Sequence, residues 1–227
     1  MFREKFSRII PQSKKVAILL LLLLFNCFEY EESITFRRGF TGVVDISYTV
    51  PLNPRTGNSV LKFLPINQED IETRLGKGLF GKTIKISEFT LKILEKDEFP
   101  PNLYFIRKAK VSYKMDFTDI SALDGVLLGN LFVKKRGNSL SVKREFRMVD
   151  KPLDLNSSSG EKRIRAETIR LLGEGFVNFR VYFPQSSECR SNLGEIGLGT
   201  LSYRLPLSET LEKAGNKIWD YSITTYY

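Results

Sequence analysis

From Val111 to Thr118 apolar and polar residues alternate one for one: Val111, Tyr113, Met115 and Phe117 against Ser112, Lys114, Asp116 and Thr118. A period of two puts one set on a buried sheet face and the other in water. The same alternation recurs in Val177, Phe179, Val181 and Phe183, and in Trp219, Tyr221, Ile223 and Thr225, so the C-terminus is predicted to be a strand and not a tail. Segments 33–38 and 43–50, rich in β-branched and aromatic residues and separated by Gly39 and Gly42, read as a hairpin. A second hairpin is predicted over 130–135 and 139–149, turning at Arg136-Gly137-Asn138. In its second arm Leu140, Val142, Phe146 and Met148 face inward, and Arg144 interrupts the row. Further strands are expected at 83–87, 89–96, 103–117 and 201–205, and an irregular polar stretch at 185–198.

Two segments carry the helical period instead. Residues 67–76 start with Asn67 as an N-cap, place acidic residues in the first turn and end at Gly76. Residues 161–172 put Ile164, Thr168, Leu171 and Leu172 on one face, with Lys162, Arg163, Glu167 and Arg170 in solvent. The order of elements predicts an α+β domain: a twisted, mostly antiparallel sheet with two main helices packed on one side.

One stretch is apolar without any period. Val16 to Phe25 is ten residues long, about 15 Å as a helix against the roughly 30 Å of a bilayer core. Arg3, Lys5, Arg8, Lys14 and Lys15 precede it, with Glu4 the one acid among them. A basic flank before a short apolar run is the pattern of a secretory signal peptide. The run closes on Leu24-Phe25-Asn26-Cys27. This resembles a lipobox, the mark of bacterial prolipoproteins. Leu24 matches the leucine three places before the cysteine; Phe25 and Asn26 depart from the usual small residues, and a box tolerating Asn there is similar to the spirochaete version, leptospires in particular. The resemblance implies a diacylglyceryl group and a further fatty acid such as palmitate on Cys27, and removal of residues 1–26. Residues 27–32 would then be a short lipidated tether and 33–227 one domain. Several acyl chains hold a protein to a membrane where one is marginal.

Charge changes the picture little. Of 35 Lys plus Arg and 26 Asp plus Glu, five and one lie in the first 26 residues, so the remainder holds 30 against 25, net +5. A body so mildly basic, without a basic stripe interleaved with aromatics, predicts no nucleic-acid partner. There is no histidine, which removes His-based acid–base work, the usual triads and most zinc sites. With Cys27 lipidated, Cys189 has no internal partner for a disulfide. Asp116, Asp119 and Asp124 read as a solvated strand end, and Ser157 to Ser159 have no nearby base. No catalytic residue, cofactor or metal site is expected.

The layout, from lipobox and early hairpin to the closing Leu-Ser-Tyr-Arg-Leu-Pro-Leu segment before Trp219, is similar to LppM-type lipoprotein domains. That resemblance implies a curved sheet gripping a helix around an apolar, lipid-binding cavity. Its candidate lining here is Val111, Tyr113, Met115, Phe117, Leu171 and Trp219. Three functions follow as expectations. The first is a non-catalytic binding or structural lipoprotein of the cell envelope, favoured at the outer membrane. The second is a periplasmic carrier of lipid or another hydrophobic ligand. The third is a hydrolase of unrecognised type. The expected partners are the membrane, through the N-terminal lipid, and a lipid or an envelope protein.

Overall fold

Alternation of this kind builds sheets, and a computed structural model of the chain contains two. It describes residues 28–53, 56–61, 63–75, 84–94, 107–146, 175–207 and 217–226. The strands are β1 (Glu29–Phe36), β2 (Gly42–Pro51), β3 (Lys85–Leu94), β4 (Lys108–Phe117), β5 (Asn130–Arg136), β6 (Ser139–Phe146), β7 (Phe176–Tyr182), β8 (Ser187–Ser191), β9 (Glu195–Gly197), β10 (Thr200–Pro206) and β11 (Lys217–Thr225). Seven form one sheet in the order β3-β4-β2-β1-β7-β10-β9; four form the other, β5-β6-β11-β8.

The inward sets are those the alternation selects. Tyr30, Ile34, Val44, Ile46, Val111, Met115, Val177 and Phe179 of the large sheet are buried, as are Leu140, Val142, Phe146, Trp219, Tyr221 and Ile223 of the small one. The two faces close on each other through rings: Phe179 lies 5.1 Å from Phe146 and 5.2 Å from Trp219, centroid to centroid.

Both predicted hairpins are present, with β1 antiparallel to β2 and β5 to β6. At Gly42 the chain passes so close to β1 that an added Cβ would meet the Thr35 carbonyl oxygen at 2.2 Å, so no side chain fits. The segments expected as two strands at 83–87 and 89–96 are one strand, β3. A register shift lies between Ser87 and Thr90, and Glu88 there takes a φ of 52°, the geometry of a bulge. The helix predicted at 67–76 is α1 (Gln68–Leu75), capped as expected: the Asp70 backbone N–H donates to Asn67 Oδ1 at 2.8 Å.

The α+β expectation is corrected. The fold is mostly β: among the described residues α1 is the one α-helix, and the face predicted to carry helices carries the second sheet. A period of two marks a strand with one buried face without saying what buries it. The helix expected at 161–172 lies outside the described residues. The stretch 185–198, expected to be irregular, holds β8 and β9. Its Ser-Glu-Cys-Arg-Ser sequence has no apolar contrast, and β8 is held at a sheet edge by pairing with β11. Residues 29–32, expected in a tether, are the first half of β1, which lies inside the large sheet between β2 and β7. Phe28 before it is 1% exposed.

Candidate functional site

Two polar constellations stand out, one on each side of the large sheet. On its outer face a shallow cavity of about 230 Å³ is lined by Glu31 and Ser33 of β1, Asp45 and Ser47 of β2, Ser112 of β4, and Asn178 and Arg180 of β7. The outward half of the alternation supplies these groups from four neighbouring strands. Carboxylates and a guanidinium line one hollow, so it suits a small polar group carrying both donors and acceptors. Partial burial raises the Asp45 carboxyl above the ordinary carboxylate range, against the pull of the Lys114 ammonium.

The second constellation is sealed between the sheets. Arg144 of β6 and Glu32 of β1 are both buried. They pair fork to fork, Nη1 to Oε1 at 2.5 Å and Nη2 to Oε2 at 3.0 Å. Nη2 also donates to the Leu128 carbonyl, and the Tyr30 hydroxyl donates to Glu32 Oε2 at 3.0 Å. The guanidinium carbon sits 4.6 Å from the Phe179 ring centroid and 5.3 Å from that of Phe146. Burial alone pushes the guanidinium toward neutrality, but the Glu32 carboxylate more than offsets it and the cation is held. Burial, and then the charge of Glu32, keeps the Tyr30 hydroxyl protonated far beyond its ordinary range. Because both charged side chains are buried and spent on each other, this is a clasp between two sheets. Sequence reading missed it as a pair. The available signals were a charged residue at an inward position in each strand, Glu32 between Tyr30 and Ile34, and Arg144 between Val142 and Phe146.

A family model described as LIC11874-like matches residues 22–227. The chain belongs to this LIC11874-like family, a leptospiral one. No curated protein matches it. The folded domain of the Mycobacterium tuberculosis lipoprotein LppM, solved by NMR, is similar at 14% identity and a TM-score of 0.46, over 89% of this chain and 92% of that one.

In this LIC11874-like chain the residues named for a cavity do not form one group. Val111, Tyr113, Met115 and Phe117 line the inward face of β4 and are buried, Val111 and Met115 completely. Trp219 belongs to the other sheet, packed among Phe179, Tyr203 and Tyr221. Leu171 lies outside the described residues, as do Cys27 and Ser157 to Ser159. The carboxylates of the strand end have structural partners: Asp116 pairs with Arg37 at 3.5 Å, Asp119 accepts the Ser121 N–H at 2.9 Å, and Asp124 accepts the Leu131 N–H at 3.1 Å. Among the described residues no three His, Cys, Asp or Glu are grouped to hold a metal ion, and no helix is long and apolar enough to cross a membrane. Cys189, expected in a loop, is in β8, and burial pushes its thiol up to about 11.

Close packing around β4 gives a direct expectation. Val111 is fully buried between Tyr48 and Leu91 on the flanking strands. Val111→Trp should therefore cost about 1–3 kcal/mol by overpacking, read from urea unfolding. An unchanged midpoint would mean that room for an indole exists beside β4.

Proposed function

We propose that this protein is a lipid-anchored, non-catalytic module of the cell envelope, held to a membrane through acylated Cys27 and presenting the outer face of the large sheet to a polar partner. The observation that carries this reading is the distance along the chain between anchor signal and fold. Leu24-Phe25-Asn26-Cys27 is followed at once by buried Phe28 and by β1 from Glu29. A strand that starts two residues after the cysteine leaves no slack for a stalk, so the acyl chains and the sheet move as one body. Outer-membrane placement fits the same reading. The binding role fits the polar cavity bounded by Glu31, Asp45 and Arg180. The buried clasp and the structural use of the aspartates favour a binding or supporting role over hydrolysis.

Cys27→Ser tests the anchor. In the native host it should abolish labelling by a fatty-acid probe and move the protein from the detergent phase to the aqueous phase. A serine variant that still partitions with detergent would sink the lipoprotein reading and leave the uncleaved apolar run as the attachment.

A further inference from the structure

Two rows of side chains cross the middle of the large sheet on its outer face. In one, Arg180 of β7 stands opposite Ser33 of β1, and Ser33 opposite Asp45 of β2. In the next, Asn178 stands opposite Glu31, Glu31 opposite Ser47, and Ser47 opposite Ser112 of β4. Arg180 and Asp45 are two strands, about 10 Å, apart, with only the short Ser33 side chain between them. That gap, floored by serines, is the shallow cavity of about 230 Å³. Other charges of this sheet pair off, Lys114 with Glu88 at 2.6 Å and Arg37 with Asp116 at 3.5 Å. Among the described residues Arg180 pairs with neither Glu31 nor Asp45. A face shaped only for water gains from cross-strand charge pairs; here a guanidinium, an amide and two carboxylates are held apart around hydroxyls.

Opposite charges in so small a space leave no strong field of one sign, which favours an uncharged ligand over a polyanion or a polycation. Such a ligand must offer donors to Glu31 and Asp45 and acceptors to Arg180 and Asn178. A sugar hydroxyl does both, and neighbouring hydroxyls of a pyranose ring match the two oxygens of a carboxylate. The C–H face of the ring is apolar. Tyr182 offers it an exposed aromatic surface, two residues beyond Arg180 on the same face of β7, about 7 Å along the strand. The hollow is shallow and open, so it suits one unit of a longer chain. A free small molecule is held instead in a pocket that covers most of its surface.

We propose that this hollow binds a neutral glycan chain, with Arg180, Asp45 and Glu31 holding the hydroxyls of one sugar and Tyr182 stacking on the chain beside it. The ligand class rests on the reading above that the outer face receives a polar partner, and is independent of the anchor.

The test uses the protein as its host makes it, held in a sugar-free detergent. Ligand-observed NMR titrations use neutral tetrasaccharides of glucose, mannose, galactose and N-acetylglucosamine, and glycylglycine as a zwitterion. At least one tetrasaccharide should bind, with an affinity that raised salt leaves unchanged. Arg180→Ala and Asp45→Ala should each weaken that binding by about tenfold, the loss of a hydrogen bond to a charged group. Tyr182→Ala should weaken it by about fivefold, the loss of a stacked ring. All three side chains are exposed, so the melting temperature should stay where it is. Lys134→Gln, on the other sheet, should bind as the parent does. Silence from every tetrasaccharide, or an affinity that collapses in salt, overturns the proposal. A tetrasaccharide bound equally by all three variants sits elsewhere, and overturns the use of this face as well. Glycylglycine bound in place of the sugars, and lost in Arg180→Ala, refutes the glycan and keeps the face as a polar binding site.

Discussion

Arg144→Met is expected to destabilise the fold by about 3–5 kcal/mol, because it leaves the Glu32 carboxylate buried and unpaired. Arg144 and Glu32 are 0% and 2% exposed, so water cannot replace the missing partner. The loss also strips the Leu128 carbonyl of a donor and removes the cation stacked on Phe146 and Phe179. Glu32→Gln, which keeps the shape and removes the charge, should cost a comparable amount by stranding the guanidinium. The double replacement Glu32→Leu/Arg144→Met should recover most of the loss, because two charges of opposite sign leave the interior together. Urea unfolding of these proteins together with the single variant Glu32→Leu closes the cycle. Single variants within about 1 kcal/mol of the parent would show that the pair is wet, since exposed ion pairs are worth no more than that.

Trp219→Ala comes next, at about 3–5 kcal/mol for a large buried ring deleted from a core. Trp219 is fully buried, and its ring lies 4.8 Å from Tyr221 and 5.2 Å from both Phe179 and Tyr203. It bridges the sheets, since Tyr221 shares its strand while Phe179 and Tyr203 belong to the other layer. Deletion opens a void that the three neighbouring rings cannot close without leaving their rotamers. Trp219→Phe separates volume from polarity: it keeps a ring and loses the indole hydrogen bond to Ser191 Oγ at 3.1 Å. It should cost roughly a third of the alanine change, the loss of part of a ring and one hydrogen bond. Far-UV circular dichroism reads both, because the chain has a single tryptophan and the variants lack it. A loss under about 1 kcal/mol for Trp219→Ala would mean that the sheets barely rest on one another, since filled cores do not give up an indole so cheaply.

Both effects depend on residues whose importance is only half visible in one dimension. Arg144 shows in the sequence as a fault in the row Leu140, Val142, Phe146. Glu32, among the acidic residues 29–32, reads as part of a tether. Nothing local links two positions 112 residues apart. Trp219 stands out by its place in the alternation to Thr225, but its partners Phe179 and Tyr203 are named only by the docking of one sheet on the other. The candidate cavity residues show the same limit. Val111, Tyr113, Met115 and Phe117 are inward as their spacing requires, while Trp219 belongs to the other layer and packs against Phe179 and Tyr203 of β7 and β10.

What the sequence determined by itself is local. It contains the cap of α1 at Asn67, the turn at Gly137 and the inward set of most strands, because each depends on residues a few places apart. Only the tertiary structure decided that the strands divide into seven and four, and that the second sheet, not a pair of helices, covers the first. It also decided that β8 and β9 form from polar sequence and that β1 continues to within two residues of Cys27. The physical reason is that a period of two specifies a face to be buried but not the partner that buries it. Pairing across a sheet edge rests on backbone hydrogen bonds that every residue except proline can make.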